Sequence, residues 1–230
     1  MRVRELAAAL AELVLPADCA GCGGSPAPWC AECAADLGPP TRPPLPGGPS
    51  VAAVGRYRGP LRTALLRYKE RGRRDLAGPL ATLLAEPLDA LLGPGPPGPG
   101  PAGVWLVPAP SRPAAARARG GDHVLRIARR LAADRPGLRV ADALALTSRA
   151  RDSVGLDPAQ RAANLAGRLR LRPGMPPPAG SPVVLLDDVV TTGATLRACR
   201  NALAGAGVHA RLALVLCDAT PRAGAADGWR

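Results

Sequence analysis

Residues Val184 to Thr195 read Val-Leu-Leu-Asp-Asp-Val-Val-Thr-Thr-Gly-Ala-Thr: an apolar run, two adjacent acids, a loop of small residues and a helix start. In a parallel sheet, ligands bind beyond the carboxyl ends of the strands. Asp187 and Asp188, directly after an apolar strand, therefore face that crevice and can accept hydrogen bonds from ribose hydroxyls. Thr191, Thr192, Gly193, Ala194 and Thr195 bring hydroxyls and backbone amides to a helix N-terminus, where unpaired N–H groups and the helix dipole favour a phosphate. Gly193 permits a close backbone approach. An ordinary strand–turn–helix with Asp and Thr as caps would explain any two of these residues, and it explains the whole run poorly.

Cys19 and Cys22 form one C-x-x-C pair and Cys30 and Cys33 a second, with seven residues between them. Four thiolates so spaced match a tetrahedral structural zinc site, closed to substrate and so architectural. Gly21, Gly23 and Gly24 allow the turns that bring two sulfurs to one ion. Two disulfides in an exported domain, or a redox-active pair, are the competing readings. Cys199 and Cys217 fall in apolar stretches and read as small core residues.

The third group is basic. Val107-Pro108-Ala109-Pro110-Ser111-Arg112-Pro113 follows an apolar run, and Arg117 and Arg119 come next. A loop at a strand's carboxyl end faces the same crevice as the acid pair, so Ser111, Arg112, Arg117 and Arg119 are candidates for holding pyrophosphate. A solvated arginine-rich loop is the alternative. Arg126, Arg129 and Arg130 could extend a basic face toward nucleic acid, although a solvated helix face accounts for them as well. His123 and His209 are isolated and receive no catalytic role. Tyr68-Lys69-Glu70-Arg71-Gly72 reads as a helix end whose charges suit its negative terminus.

These groups need elements to hold them. Apolar runs near 51–54, 104–107, 138–146, 183–186 and 208–216 read as strands. Helical patterns cover 2–15, 61–69, 76–92, 122–133 and 193–204, with a further helix starting at Asp157-Pro158. Strands alternating with helices imply an α/β fold with a parallel sheet covered on both faces. Gly38 to Pro49 is a Pro/Gly linker, and 93–103 is a low-complexity loop. The chain divides into an N-terminal helix and four-Cys module (1–37), the linker (38–50), a main domain (51–218) and a tail (219–230).

Apolar residues make up 47% of the 230 and charged residues 21%, enough to bury a core, which argues against a disordered chain. Phe is absent and Arg, Ala, Gly and Pro abound, a bias of composition without functional content. The net charge of +12 attracts anionic partners without specifying one. Glu5 and Glu12 interrupt the first apolar run, which is therefore read as an amphipathic helix and not as a cleaved signal. No stretch long enough to span a membrane follows, and the expected location is cytoplasmic.

The run from Val184 to Thr195 resembles the phosphoribosyl-pyrophosphate signature of type I phosphoribosyltransferases. Taken with Leu15 to Cys19, the second C-x-x-C, Tyr68-Lys69 and Gly72, Val107 to Pro110, Arg117 to Gly120, Arg161 and Asn164-Leu165, the chain resembles the ComF family over almost its whole length. That resemblance implies a type I phosphoribosyltransferase-like domain with an N-terminal zinc module. It implies ribose binding by Asp187 and Asp188, binding of the 5′-phosphate by Thr191 to Thr195, and Mg²⁺ carried mainly on the substrate. The sequence departs from the family pattern at Gly121-Asp122-His123, where an aromatic, Asn and Gln are frequent. It also departs at 153–156, which lacks a usual Gln, and in the shortened basic set before Arg117. Two functions follow as expectations. One is phosphoribosyl transfer from phosphoribosyl pyrophosphate to an unidentified acceptor. The other is a non-catalytic accessory role in DNA uptake (competence), binding single-stranded DNA and a partner protein.

Overall fold

The structure, a computed structural model, describes residues 18–24, 26–93, 103–147 and 168–221. The readings of a helix at 2–15, a low-complexity loop within 94–102, a helix from Asp157 and most of the tail lie outside the described residues, as do Arg161 and Asn164-Leu165.

Five strands form one parallel sheet: β1 (Ser50–Arg56), β2 (Val104–Pro108), β3 (Leu138–Val140), β6 (Val183–Val190) and β7 (Leu212–Asp218), in the order β1-β7-β6-β2-β3. The runs read as strands are β-branched or leucine-rich on both faces, as a doubly covered parallel sheet requires. Alternate residues enter two cores. Ala52, Val54, Leu106, Val184, Leu186, Leu214 and Leu216 face one side. Val51, Ala53, Val107, Leu185, Ala213 and Val215 face the other.

Helices α2 (Gly59–Glu70), α3 (Ala77–Leu83), α4 (Ala85–Leu92) and α6 (His123–Ala133) contribute buried residues to the first core. Helix α7 (Ala194–Ala204) covers the second, together with a small antiparallel pair, β4 (Leu144–Leu146) and β5 (Leu169–Leu171). From β2 the chain passes through α6 on one face to β3. From β6 it passes through α7 on the opposite face to β7. The β2/β6 boundary is therefore the point where the winding reverses, and a crevice opens at the carboxyl ends of those two strands.

Three expectations change in detail. The helix read over 76–92 breaks at Leu84, because Pro87 has no N–H to give the carbonyl of Leu83. The apolar stretch 138–146 is two strands in two different sheets. The strand read as ending at Leu186 runs on to Val190, paired with β7 as far as Asp218, so the acid pair lies within it.

The segment 38–49 holds little regular structure, but Thr41 exchanges both backbone hydrogen bonds with Ala53 (2.9 and 2.8 Å) and so covers the outer edge of β1. The cysteine segment, with a short helix α1 (Ala31–Ala35), has a cluster of its own around Cys19, Cys30 and Cys33. Its Ala20 is buried in the first core of the sheet. Among the described residues no helix is long and apolar enough to cross a membrane.

Candidate phosphoribosyl site and four-cysteine cluster

Successive strand residues point to opposite faces, so the adjacent acids of β6 diverge. Asp188 lies on the face covered by α2 and α6. The residue is 9% exposed, and its carboxylate takes an ion pair from Lys69 Nζ at 2.7 Å and a hydrogen bond from His123 Nε2 at 2.5 Å, both on Oδ2. Burial alone would raise its pKa, but the His123 hydrogen bond and the Lys69 charge outweigh burial and hold Asp188 well below the usual carboxylate range. Asp187, half-buried on the other face, accepts the amide of Asp188 at 2.8 Å. Enclosure by protein, and then the neighbouring Asp188 charge, push its carboxyl well above the usual range.

After β6 the chain turns through Thr191 and Thr192, both exposed, to Gly193, which caps α7 in the left-handed region at φ 71°. A Cβ at Gly193 would run into the side chain of Leu45. Ala194 and Thr195 open the helix, so the amides of its first turn have no intrahelical partner.

Across the crevice, Ser111 follows β2. Its amide donates to Asp122 Oδ2 at 2.6 Å and its Oγ lies 3.0 Å from His123 Nδ1. The other oxygen of Asp122 caps α6 by accepting from Val124 and Leu125. The loop and the helix N-terminus are thus held by one carboxylate. Tyr68 donates its hydroxyl to the carbonyl of His123 at 2.8 Å. The structure therefore brings Ser111, Asp188 and the turn from Thr191 to Thr195 to one end of the sheet. Arg112 and Arg117 are exposed on and beside the short helix α5 (Pro113–Ala118), and Arg119 is half-buried with its Nε enclosed and without a hydrogen-bond partner.

His123 and Lys69 both meet Asp188 here, although the sequence reading gave His123 no role and Lys69 only that of a helix-end charge within the family resemblance. His123 is 5% exposed and lies 65 positions from Asp188 in the chain. A local pattern carries no trace of that contact. A weak signal did exist: Asp122 as an N-cap fixes His123 at the first turn of a helix beginning at the sheet's carboxyl edge.

The four cysteines converge. Cys19 and Cys33 Sγ are 3.7 Å apart, Cys22 and Cys30 Sγ 3.7 Å, and all four lie within 4.8 Å of one another. Zinc–sulfur bonds of about 2.3 Å in a tetrahedron put sulfurs about 3.8 Å apart, so the cage fits that ion. The amides of Cys30 and Gly24 point at Cys19 and Cys22 Sγ (3.3 and 3.4 Å). Burial opposes ionisation of Cys19, yet the surrounding amides of Cys30, Cys22 and Gly21 bring its thiol down to about 6. Cys199 and Cys217 are fully buried, and burial raises both thiols.

No family model matches the chain, and no curated protein matches it in sequence. Among solved structures it overlaps with hypoxanthine phosphoribosyl transferase from Trypanosoma cruzi, at 17% identity over 70% of this chain and 73% of that one, with a TM-score of 0.35. It overlaps also with a glutamic acid mutant made to probe an invariant aspartic acid in HPRTs, at 18% identity over 70% and 74% of the two chains, with a TM-score of 0.34. Overlaps this loose say nothing of what this chain does, and function has to come from the site itself.

Proposed function

We propose that this protein binds phosphoribosyl pyrophosphate at the β2/β6 crevice and transfers its phosphoribosyl group to an acceptor, as the resemblance to the ComF family and to type I phosphoribosyltransferases implies. The observation that carries this reading is the placement of an acid pair and a glycine-capped helix N-terminus on one side of a topological switch point, with a basic loop on the other. Asp187 and Asp188 take the ribose hydroxyls. Thr191, Thr192, Gly193, Ala194 and Thr195 take the 5′-phosphate. Ser111, Arg112, Arg117 and Arg119 take the pyrophosphate. Lys69 holds Asp188 ionised until the ribose arrives. Mg²⁺ enters on the pyrophosphate, in keeping with its habit of using few protein ligands. At C1 the carboxylates favour the positive charge that grows on the sugar as pyrophosphate departs.

Zinc in the four-cysteine cage serves structure, since four sulfurs leave no position open for substrate. Single-stranded DNA is the weaker reading. It calls for aromatic stacking platforms, and among the described residues no Tyr or Trp is exposed.

Pyrophosphate release from Mg²⁺-phosphoribosyl pyrophosphate, measured with a small-molecule cell extract as the source of acceptor, tests the proposal. Wild type is expected to release pyrophosphate and Asp188→Ala to lose at least about a hundredfold of that rate. Equal rates in the two would remove the acid pair from the reaction.

A further inference from the structure

Ribose binding by the acid pair and pyrophosphate binding by the basic loop leave unused a chain of hydrogen bonds that crosses the site. A hydroxyl on the loop after β2, one imidazole and a carboxylate on β6 are joined in series, with Ser111 Oγ 3.0 Å from His123 Nδ1 and His123 Nε2 2.5 Å from Asp188 Oδ2. His123 is almost wholly buried, so it reaches a ligand only through Ser111, which is half-buried at the crevice. Its ring is held at both nitrogens, and the backbone that carries it is held as well. Asp122 ties the Ser111 amide to the helix that carries His123, Tyr68 holds the His123 carbonyl, and the Tyr68 ring lies 6.1 Å from the imidazole. A hydroxyl–imidazole–carboxylate series moves a proton to or from the hydroxyl without exposing the imidazole to bulk water.

We infer that Ser111, backed by His123, supplies the proton taken up by the departing pyrophosphate. The inference rests on the phosphoribosyl reading of the site. As the C1–O bond breaks, its electron pair stays on the pyrophosphate oxygen. The Ser111 hydroxyl gives that oxygen its proton, and Nδ1–H of the His123 imidazolium restores the hydroxyl. The neutral imidazole keeps its Nε2–H on Asp188, while the lone pair of the acceptor forms the new bond to C1 and the acceptor loses its own proton to water. Ser111 is the catalytic residue in this step and His123 a positioning residue that holds the proton. The charged and titratable groups about His123 are Asp188 from β6, Tyr68 from α2, and Lys69 of α2 on the same Asp188 oxygen, while Asp122 caps the helix that carries His123. Lys69 shares the Asp188 oxygen and keeps that carboxylate ionised opposite the imidazole.

The test is the pH profile of pyrophosphate release by the zinc-loaded full chain, beside calorimetric binding of Mg²⁺-phosphoribosyl pyrophosphate, for wild type, His123→Gln and Ser111→Ala. Gln can hydrogen-bond both partners but cannot carry the proton. The expected result is binding by His123→Gln within about threefold of wild type and turnover lower by about a hundredfold. In addition, the one-proton alkaline fall of the wild-type profile is absent from the variant. Ser111→Ala shows the same loss. A His123→Gln profile that keeps the wild-type alkaline limb overturns the relay and leaves His123 a purely structural partner. Binding by wild type without release at any pH also overturns the relay while leaving the site assignment standing. Failure of wild type to bind overturns the site assignment itself, and the relay with it.

Discussion

At the scale of single residues, the acid pair divides its labour because a strand turns neighbouring side chains apart. Asp188 is paired with Lys69 and hydrogen-bonded by His123, so it contributes stability above the unfolded-state carboxylate pKa, and that contribution is lost as pH falls through the acid range. Asp187 has the opposite sign. Its raised carboxyl pKa makes the folded state costlier as pH rises above the unfolded value, and the cost grows until pH passes the folded-state pKa. Asp187→Asn is therefore expected to stabilise the ligand-free protein by about 1 kcal/mol, raising Tm by about 2–4 °C at pH 7, with little gain at pH 3. The same change weakens binding of phosphoribosyl pyrophosphate. Thermal scans at the two pH values with and without ligand check both halves. That the two acids follow an apolar run and precede a loop of small residues was legible because those neighbours adjoin them in sequence, whereas their inclusion in the strand was not. Lys69 and His123 were not, because their role consists of contacts with Asp188 made only when the sheet assembles.

At the scale of elements, the β6–α7 turn shows how much a local pattern can encode. Four apolar residues, small loop residues and a glycine specified a strand, a turn and a helix start that the structure contains, because each depends on neighbours a few positions away. The strand's continuation through Asp187 to Val190 was not legible, since pairing with β7 sustains it and not side-chain type. The same holds for 138–146, split because β2 pairs with its first part and β5 with its second. Gly193→Ala forces φ 71° on a residue with a Cβ and presses it into Leu45, which is expected to cost about 1–2 kcal/mol and to remove the close approach of the backbone to phosphate. Chemical denaturation reads the first effect and titration with ribose 5-phosphate the second. Unchanged affinity would place the phosphate elsewhere.

At the scale of the whole molecule, the cysteine module is bolted to the helix that arms the site. Arg67 donates to the carbonyl of Cys19 at 3.0 Å, Arg73 pairs with Asp18 at 2.7 Å, and a side chain at Gly21 would collide with Pro60 and Cys33. Arg67 and Lys69 stand two positions apart on α2. Removing metal with a chelator is expected to release about one zinc per chain, to lower Tm, and to weaken ligand binding by displacing Lys69. Metal analysis with parallel calorimetry measures this, and retained affinity after full zinc loss would confine the module to a separate role. The spacing of the cysteines announced the cage. Its attachment was hidden, because Ala20, Arg67 and Arg73 carry no motif and acquire meaning only from packing.

The central claim is that the acid pair and the glycine-capped helix hold a phosphorylated ribose, and calorimetric titration of the zinc-loaded protein with Mg²⁺-phosphoribosyl pyrophosphate meets it most directly. Saturable one-to-one binding by wild type, weaker by at least about thirtyfold (about 2 kcal/mol) in Asp188→Asn, is the predicted result. No heat from folded wild type, or equal affinity in the variant, would contradict it.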